Sequence, residues 1–86
     1  MTTRMWEARA VTEPAAAALV TWLLDVGIPA LSGQPGYQRA EVFSGGEARV
    51  VVLVWWQGQS RDVPEPPPEL LARPAHSWDF TSVGTR

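Results

Sequence analysis

Cysteine, lysine and asparagine are missing from this chain, and it has a single histidine, His76. Without cysteine there is no disulfide, no thiol nucleophile and no sulfur-ligated metal, and the composition suits a reducing compartment. With one histidine and no His/Cys/Asp/Glu cluster at ligand spacing, no metal site is expected, and no serine has a His/Asp set to activate it. Lysine being absent, all seven basic residues are arginines; they are scattered, and the net charge is -2, so no footprint for nucleic acid is present. No basic start leads into an apolar segment. The longest apolar stretch, Ala15 to Leu24, is short for a bilayer and interrupted by Thr21, so neither signal peptide nor membrane span is expected and the expected location is the cytoplasm. No repeat of fixed period occurs, and no glycine-rich phosphate loop. At 86 residues the chain is expected to be one domain, residues 1–86, near the size where one core barely suffices.

What the chain does have is Arg49 to Trp56, R-V-V-V-L-V-W-W. Successive strand residues point to opposite faces, so this run is apolar on both: Val50, Val52, Val54 and Trp56 on one, Val51, Leu53 and Trp55 on the other. Such a strand must be covered twice. Thr3 to Val11 alternates, with Trp6, Ala8 and Ala10 opposite Met5, Glu7, Arg9 and Val11. Thr12-Glu13-Pro14 opens a helix, Thr12 as its cap and Pro14 in the first turn. Ala16, Leu19, Val20, Leu23 and Leu24 form its apolar stripe, and Gly27 and Pro29 weaken it before a loop at Ser32 to Gly36.

Tyr37 to Ser44 alternates again, and Gly45-Gly46 predicts a two-residue hairpin turn. That turn pairs Ser44 with Glu47. It places Tyr37, Arg39, Glu41 and Phe43 on one face with Val50, Val52 and Val54, and Ala40 and Val42 on the other with Val51 and Leu53. The expectation is then that Trp55 faces the helix stripe and Trp56 faces away. Residues 57–75 hold five prolines, including Pro66-Pro67-Pro68, and read as a stiff connector with one helical turn after Pro68. His76 to Val83 is a last alternating strand, with His76, Trp78 and Phe80 on one side.

The order strand, helix, strand, strand, vestigial helix, strand is the ferredoxin-like split β-α-β-β-(α)-β, an α+β class with a four-stranded antiparallel sheet. The chain also resembles the dimeric α+β barrel superfamily, and within it the antibiotic-biosynthesis-monooxygenase-like group. The residues that carry the resemblance are Gln34-Pro35-Gly36-Tyr37, Glu41, and the strand ending Val54-Trp55-Trp56. It implies a homodimer whose two sheets meet face to face, and a pocket between each sheet and its helices. The chain departs from that group where activity is concerned: there is no Asn to stand beside a strand Trp, and the proline tract replaces the helix that carries a His in haem-degrading members.

The candidate site residues are therefore Trp55, Trp56, His76 and Arg39, each with a plainer reading. His76 suits an ordinary strand position, the two tryptophans suit packing, and the Arg39/Glu41 and Glu7/Arg9 pairs suit ion pairs at an interface rim. The predicted dimer face comprises Tyr37, Arg39, Phe43, Val50, Val52, Val54 and Trp56. No cofactor is expected. The expected function is that of a homodimer that is non-catalytic or weakly binds a small apolar or aromatic ligand, with no nucleic acid and no membrane as partners; a cofactor-independent monooxygenase or related enzyme acting on a small aromatic compound is the alternative.

Overall fold

Thr2–Arg9 forms the first strand, β1, with Trp6 and Ala8 turned inward and buried. In the computed structural model, which describes residues 1–86, three further strands join it: β2 (Tyr37–Gly45), β3 (Arg49–Trp56) and β4 (His76–Thr81). The antiparallel sheet has the order β2-β3-β1-β4, so the double-sided apolar strand and β1 are central and β2 and β4 are edges. This is the ferredoxin-like α+β arrangement.

The helix begins as expected. Thr12 is extended, and its hydroxyl accepts the Ala15 N–H at 3.1 Å, satisfying one of the free donors of the first turn. α1 (Glu13–Trp22) does not stop at Gly27 and Pro29. It passes through a π turn, Leu23–Gly27, into α2 (Ile28–Ser32). The wider turn carries the bond from Ile28 N–H to Leu23 O, and Pro29 then sits in the first turn of α2, where its missing N–H leaves no gap. The buried stripe becomes Ala16, Leu19, Leu23, Gly27 and Leu31, while Leu24, expected on it, points outward at 56% exposure. The resulting helical body, Glu13–Ser32, has the length and apolarity to cross a membrane on composition alone, yet its leucines Leu19, Leu23 and Leu31 are packed into the core.

The hairpin is where the expected faces fail. Gly45 pairs with Arg49, and a three-residue loop, Gly46-Glu47-Ala48, replaces the two-residue turn. Val42 then lies opposite Val52 and Ser44 opposite Val50, a shift of three places along β3. An odd shift exchanges every side chain between faces. Glu47 (φ 60°) and Ala48 (φ 57°) occupy the left-handed region without being glycines. Neighbouring groups hold them there: the Glu13 carboxylate accepts the Ala48 N–H at 2.9 Å, the Ala48 carbonyl accepts the Ala10 N–H at 2.8 Å, and Arg9 pairs with Glu47 at 2.9 Å.

Val50, Val52, Val54 and Trp56 are consequently fully buried beneath the helices, together with Trp6, Ala8, Leu19, Leu23 and Leu31. The predicted orientation of the tryptophans is reversed: Trp56 faces the helices and Trp55 faces away. The predicted dimer face also splits. Val50, Val52, Val54 and Trp56 belong to the core, Tyr37 stands edge-on to Trp56 at 5.9 Å, and only Arg39 and Phe43 lie on the opposite face.

The proline-rich stretch lies along the inner side as an extended wall. Val63 and Pro66, three residues apart as in a polyproline helix, are both buried. A single 3₁₀ turn, Pro68–Leu70, follows, and the chain is tied beside β1 by bonds from Val11 N–H to Leu70 O and from Ala72 N–H to Arg9 O, both 2.9 Å.

Candidate functional site

The sheet presents two surfaces, and the candidate residues divide between them. On the outer face, away from the helices, the pairing register sets Phe43, Val51, Leu53, Trp55, Met5, Trp78 and Phe80 side by side across all four strands. Phe43, Trp78 and Phe80 remain 41%, 46% and 52% exposed. Charges ring this patch. Arg39 donates to Glu41 at 2.7 Å and lies 4.2 Å above the Trp55 ring. At one end Glu7 faces both Arg49 (3.6 Å) and Arg73 (3.4 Å), with the Arg9–Glu47 pair beside them.

The structure thus brings Arg39 and Trp55 together but separates them from the other two candidates. Trp56 is on the opposite face with no exposure, and its indole N–H has no acceptor. His76 begins β4, at the far edge of the sheet from Arg39, and stacks on Trp78 at 6.0 Å. The space between helices and sheet around Trp56 is filled by side chains, so no cavity opens where the resemblance implies one. No three acidic or histidine side chains converge to hold a metal ion.

The opening that does exist is a groove beside the proline wall. A cavity of about 310 Å³ is lined by Trp6, Asp62, Val63, Pro66, Leu71 and Ala75, with Glu65 and Pro74 at its edge. It runs into a shallower recess bounded by Pro68 and Arg73, since both share Glu65, Pro66, Leu71 and Pro74. None of these residues stood out as a candidate in the sequence. The usable signal was the spacing of Val63 and Pro66, which marks one face of an extended proline helix as inward.

A cluster on the same side fixes the groove's mouth. Arg4 grips Asp79 with two bonds, Nε to Oδ1 at 2.8 Å and Nη2 to Oδ2 at 3.1 Å. Ser60 donates to the same carboxylate at 2.8 Å, and Arg4 reaches Asp62 at 3.2 Å. The hydrogen bond from Arg4 holds the Asp79 carboxyl below the usual carboxylate range, helped by Ser60; the same bond raises the Arg4 guanidinium. A depressed acid contributes stability that is present above its unfolded pKa, about 3.9, and is lost as pH falls through the lower folded value. Arg4→Met should therefore return the Asp79 titration toward the ordinary range, read by carboxyl ¹³C NMR, and remove its share of the acid sensitivity below about pH 4. An Asp79 titration unchanged in the variant would contradict this account.

Among solved structures the chain is similar to the structure of Rv0793 from Mycobacterium tuberculosis, with a TM-score of 0.66 over 98% of this chain and 96% of that one. Sequence identity is 15%, so the likeness speaks for the fold. No family model matches the chain, and no curated protein matches it.

Proposed function

We propose that this protein is a homodimeric member of the antibiotic-biosynthesis-monooxygenase-like group that binds a small ligand rather than transforming one. The observation that carries the dimer is the outer sheet face, an apolar patch of seven side chains bounded by ion pairs. That layout, apolar at the centre and charged at the rim, is the anatomy of a protein interface, and monomers rarely leave such a patch in water. Fully burying a large apolar side chain is worth about 1.5–3 kcal/mol. Two such faces, already half covered, would contribute on the order of 10–20 kcal/mol against an association cost of about 4–15 kcal/mol. Face-to-face pairing of two copies gives β3 the second cover that its double-sided composition demands.

The closed space around Trp56 supports the non-catalytic part of this reading, and the groove at the proline wall supports the binding part. An oxygenase would need Trp55 or Trp56, an arginine and His76 around one open pocket, and the geometry gives that set no support. The lack of cysteine supports a cytoplasmic setting. Light scattering on a size-exclusion column tests the dimer: twice the 9.4 kDa chain mass is expected. A well-folded monomer at micromolar concentration would overturn it.

A further inference from the structure

We propose that the groove beside the proline wall binds a small organic cation, an amine carried on an apolar or aromatic body. This rests on the reading of the chain as a binding protein and names the chemistry of its ligand.

The charges at the mouth do not balance. Arg4 is shared between Asp79 and Asp62, and Glu65 forms no ion pair. The groove's own lining therefore carries two carboxylates, Asp62 and Glu65, and no cation; Arg4 reaches Asp62 from outside it, and Arg61, the next residue, forms no ion pair. Arg73, at the far end, is already turned to Glu7 at 3.4 Å. A negative excess at the rim of a low-dielectric recess concentrates cations there and repels anions.

Beside those carboxylates the groove has apolar residues. Trp6, Val63, Leu71, Ala75 and two prolines make the floor and walls; Leu71 and Ala75 are the partly exposed ones, and an apolar or aromatic body would rest on them. At about 310 Å³ the cavity sits at the lower end of small-molecule sites, which run from about 300 to 1,000 Å³. A bare metal ion does not fit, because the carboxylates do not converge on one point. An ammonium group needs only one or two acceptors and tolerates that spread.

The site is also preformed. Prolines stiffen the wall, backbone bonds tie residues 70 and 72 beside β1, and the Arg4–Asp79–Ser60 cluster anchors the preceding loop. Little ordering entropy remains to be spent on binding.

The test uses the full chain labelled with ¹⁵N and titrated with 2-phenylethylammonium at up to millimolar concentration. The anion on the same phenylethyl body, 3-phenylpropionate, and neutral 2-phenylethanol are the comparison probes. The expected result is shift changes at the Trp6 indole and at amides of residues 62–75 with the cation, weakened by added salt, and none with the anion. Asp62→Asn and Glu65→Gln should each weaken binding by up to about fivefold, the range for loss of one exposed charge pair. Their spectra elsewhere should stay unchanged, which shows that the fold persists. Equal binding of anion and cation, or affinity unchanged in both variants, would overturn the cation. Binding of 2-phenylethanol alone in the groove would overturn the cation and keep the binding protein. Silence of the groove toward all three probes would overturn both.

Discussion

Leu53→Glu should give a folded monomer, whereas Val52→Glu, one residue away, should not fold. The two side chains leave β3 in opposite directions. Val52 has no exposure and lies in the core with Trp6 and Leu19, where a carboxylate finds no partner. An unpaired carboxylate there, or a protonated one forced into a filled site, costs several kcal/mol, comparable to the whole stability of a small domain, about 5–15 kcal/mol. Leu53 sits at the centre of the outer patch, between Glu41 and Met5 in the ladder, and is partly exposed in the single chain. A carboxylate at 53 stays hydrated in the monomer and is desolvated only when a second copy docks. Circular dichroism with light scattering separates the outcomes: native signal at monomer mass for Leu53→Glu, lost signal or aggregate for Val52→Glu. Thr21→Glu, on the exposed side of α1, should leave both readouts unchanged. Native dimer from Leu53→Glu would remove the outer face from the interface.

The second large effect is expected at Gly36. Its φ of 86° lies in the left-handed region, and a Cβ built there would stand 2.4 Å from the Gln57 carbonyl oxygen. The obstacle is backbone and cannot swing aside, because Gln57 N–H donates to Gly36 O at 2.7 Å and closes the base of the β2–β3 hairpin. The conformational term alone costs about 1–3 kcal/mol, and separating the strands to relieve the clash also gives up that bond, worth about 1 kcal/mol. Gly36→Ala should therefore lower stability by roughly 3 kcal/mol or more, as measured by urea denaturation. Gly46→Ala is the contrast. Its Cβ would meet nothing within 4 Å and its φ is ordinary, so a change within about 0.5 kcal/mol is expected. Similar losses at both positions would mean that glycine content, and not the Gly36–Gln57 contact, sets the effect.

How much of this was legible beforehand can be judged at particular residues. The order of elements, the Thr12 cap, the inward set Trp6, Ala8 and Ala10, and the β-α-β-β-β architecture follow from alternation and capping chemistry. The faces of β3 do not. Val50 to Trp56 is apolar on either side, so hydrophobicity cannot choose between them, and the choice passes to the turn. There Gly45-Gly46 advertises a tight hairpin, yet the left-handed positions are taken by Glu47 and Ala48, held by Glu13, Arg9 and Ala10 from elsewhere in the chain. A local reading has no access to those partners. The helix ends at Ser32, where the breakers place the loop, but nothing in the spacing announces the π turn at Leu23–Gly27 that precedes Pro29. The groove is a purely tertiary product, since Trp6 and Leu71 meet only after the proline wall folds back across β1.

The three-residue loop has a consequence for how the chain finds its native state. A strand that is apolar on both sides does not penalise a slipped hairpin, so an isolated segment of residues 37–57 would be expected to sample more than one pairing. In the folded domain the native pairing keeps Arg39 and Glu41 on the outer face, and it is reinforced by the Glu13 carboxylate at the head of α1, bound to the Ala48 N–H across 35 residues. Part of what favours the native pairing of β2 with β3 therefore comes from a distant helix. The hairpin is local in sequence but partly non-local in its proofreading, and its native pairing is reinforced when the whole domain assembles.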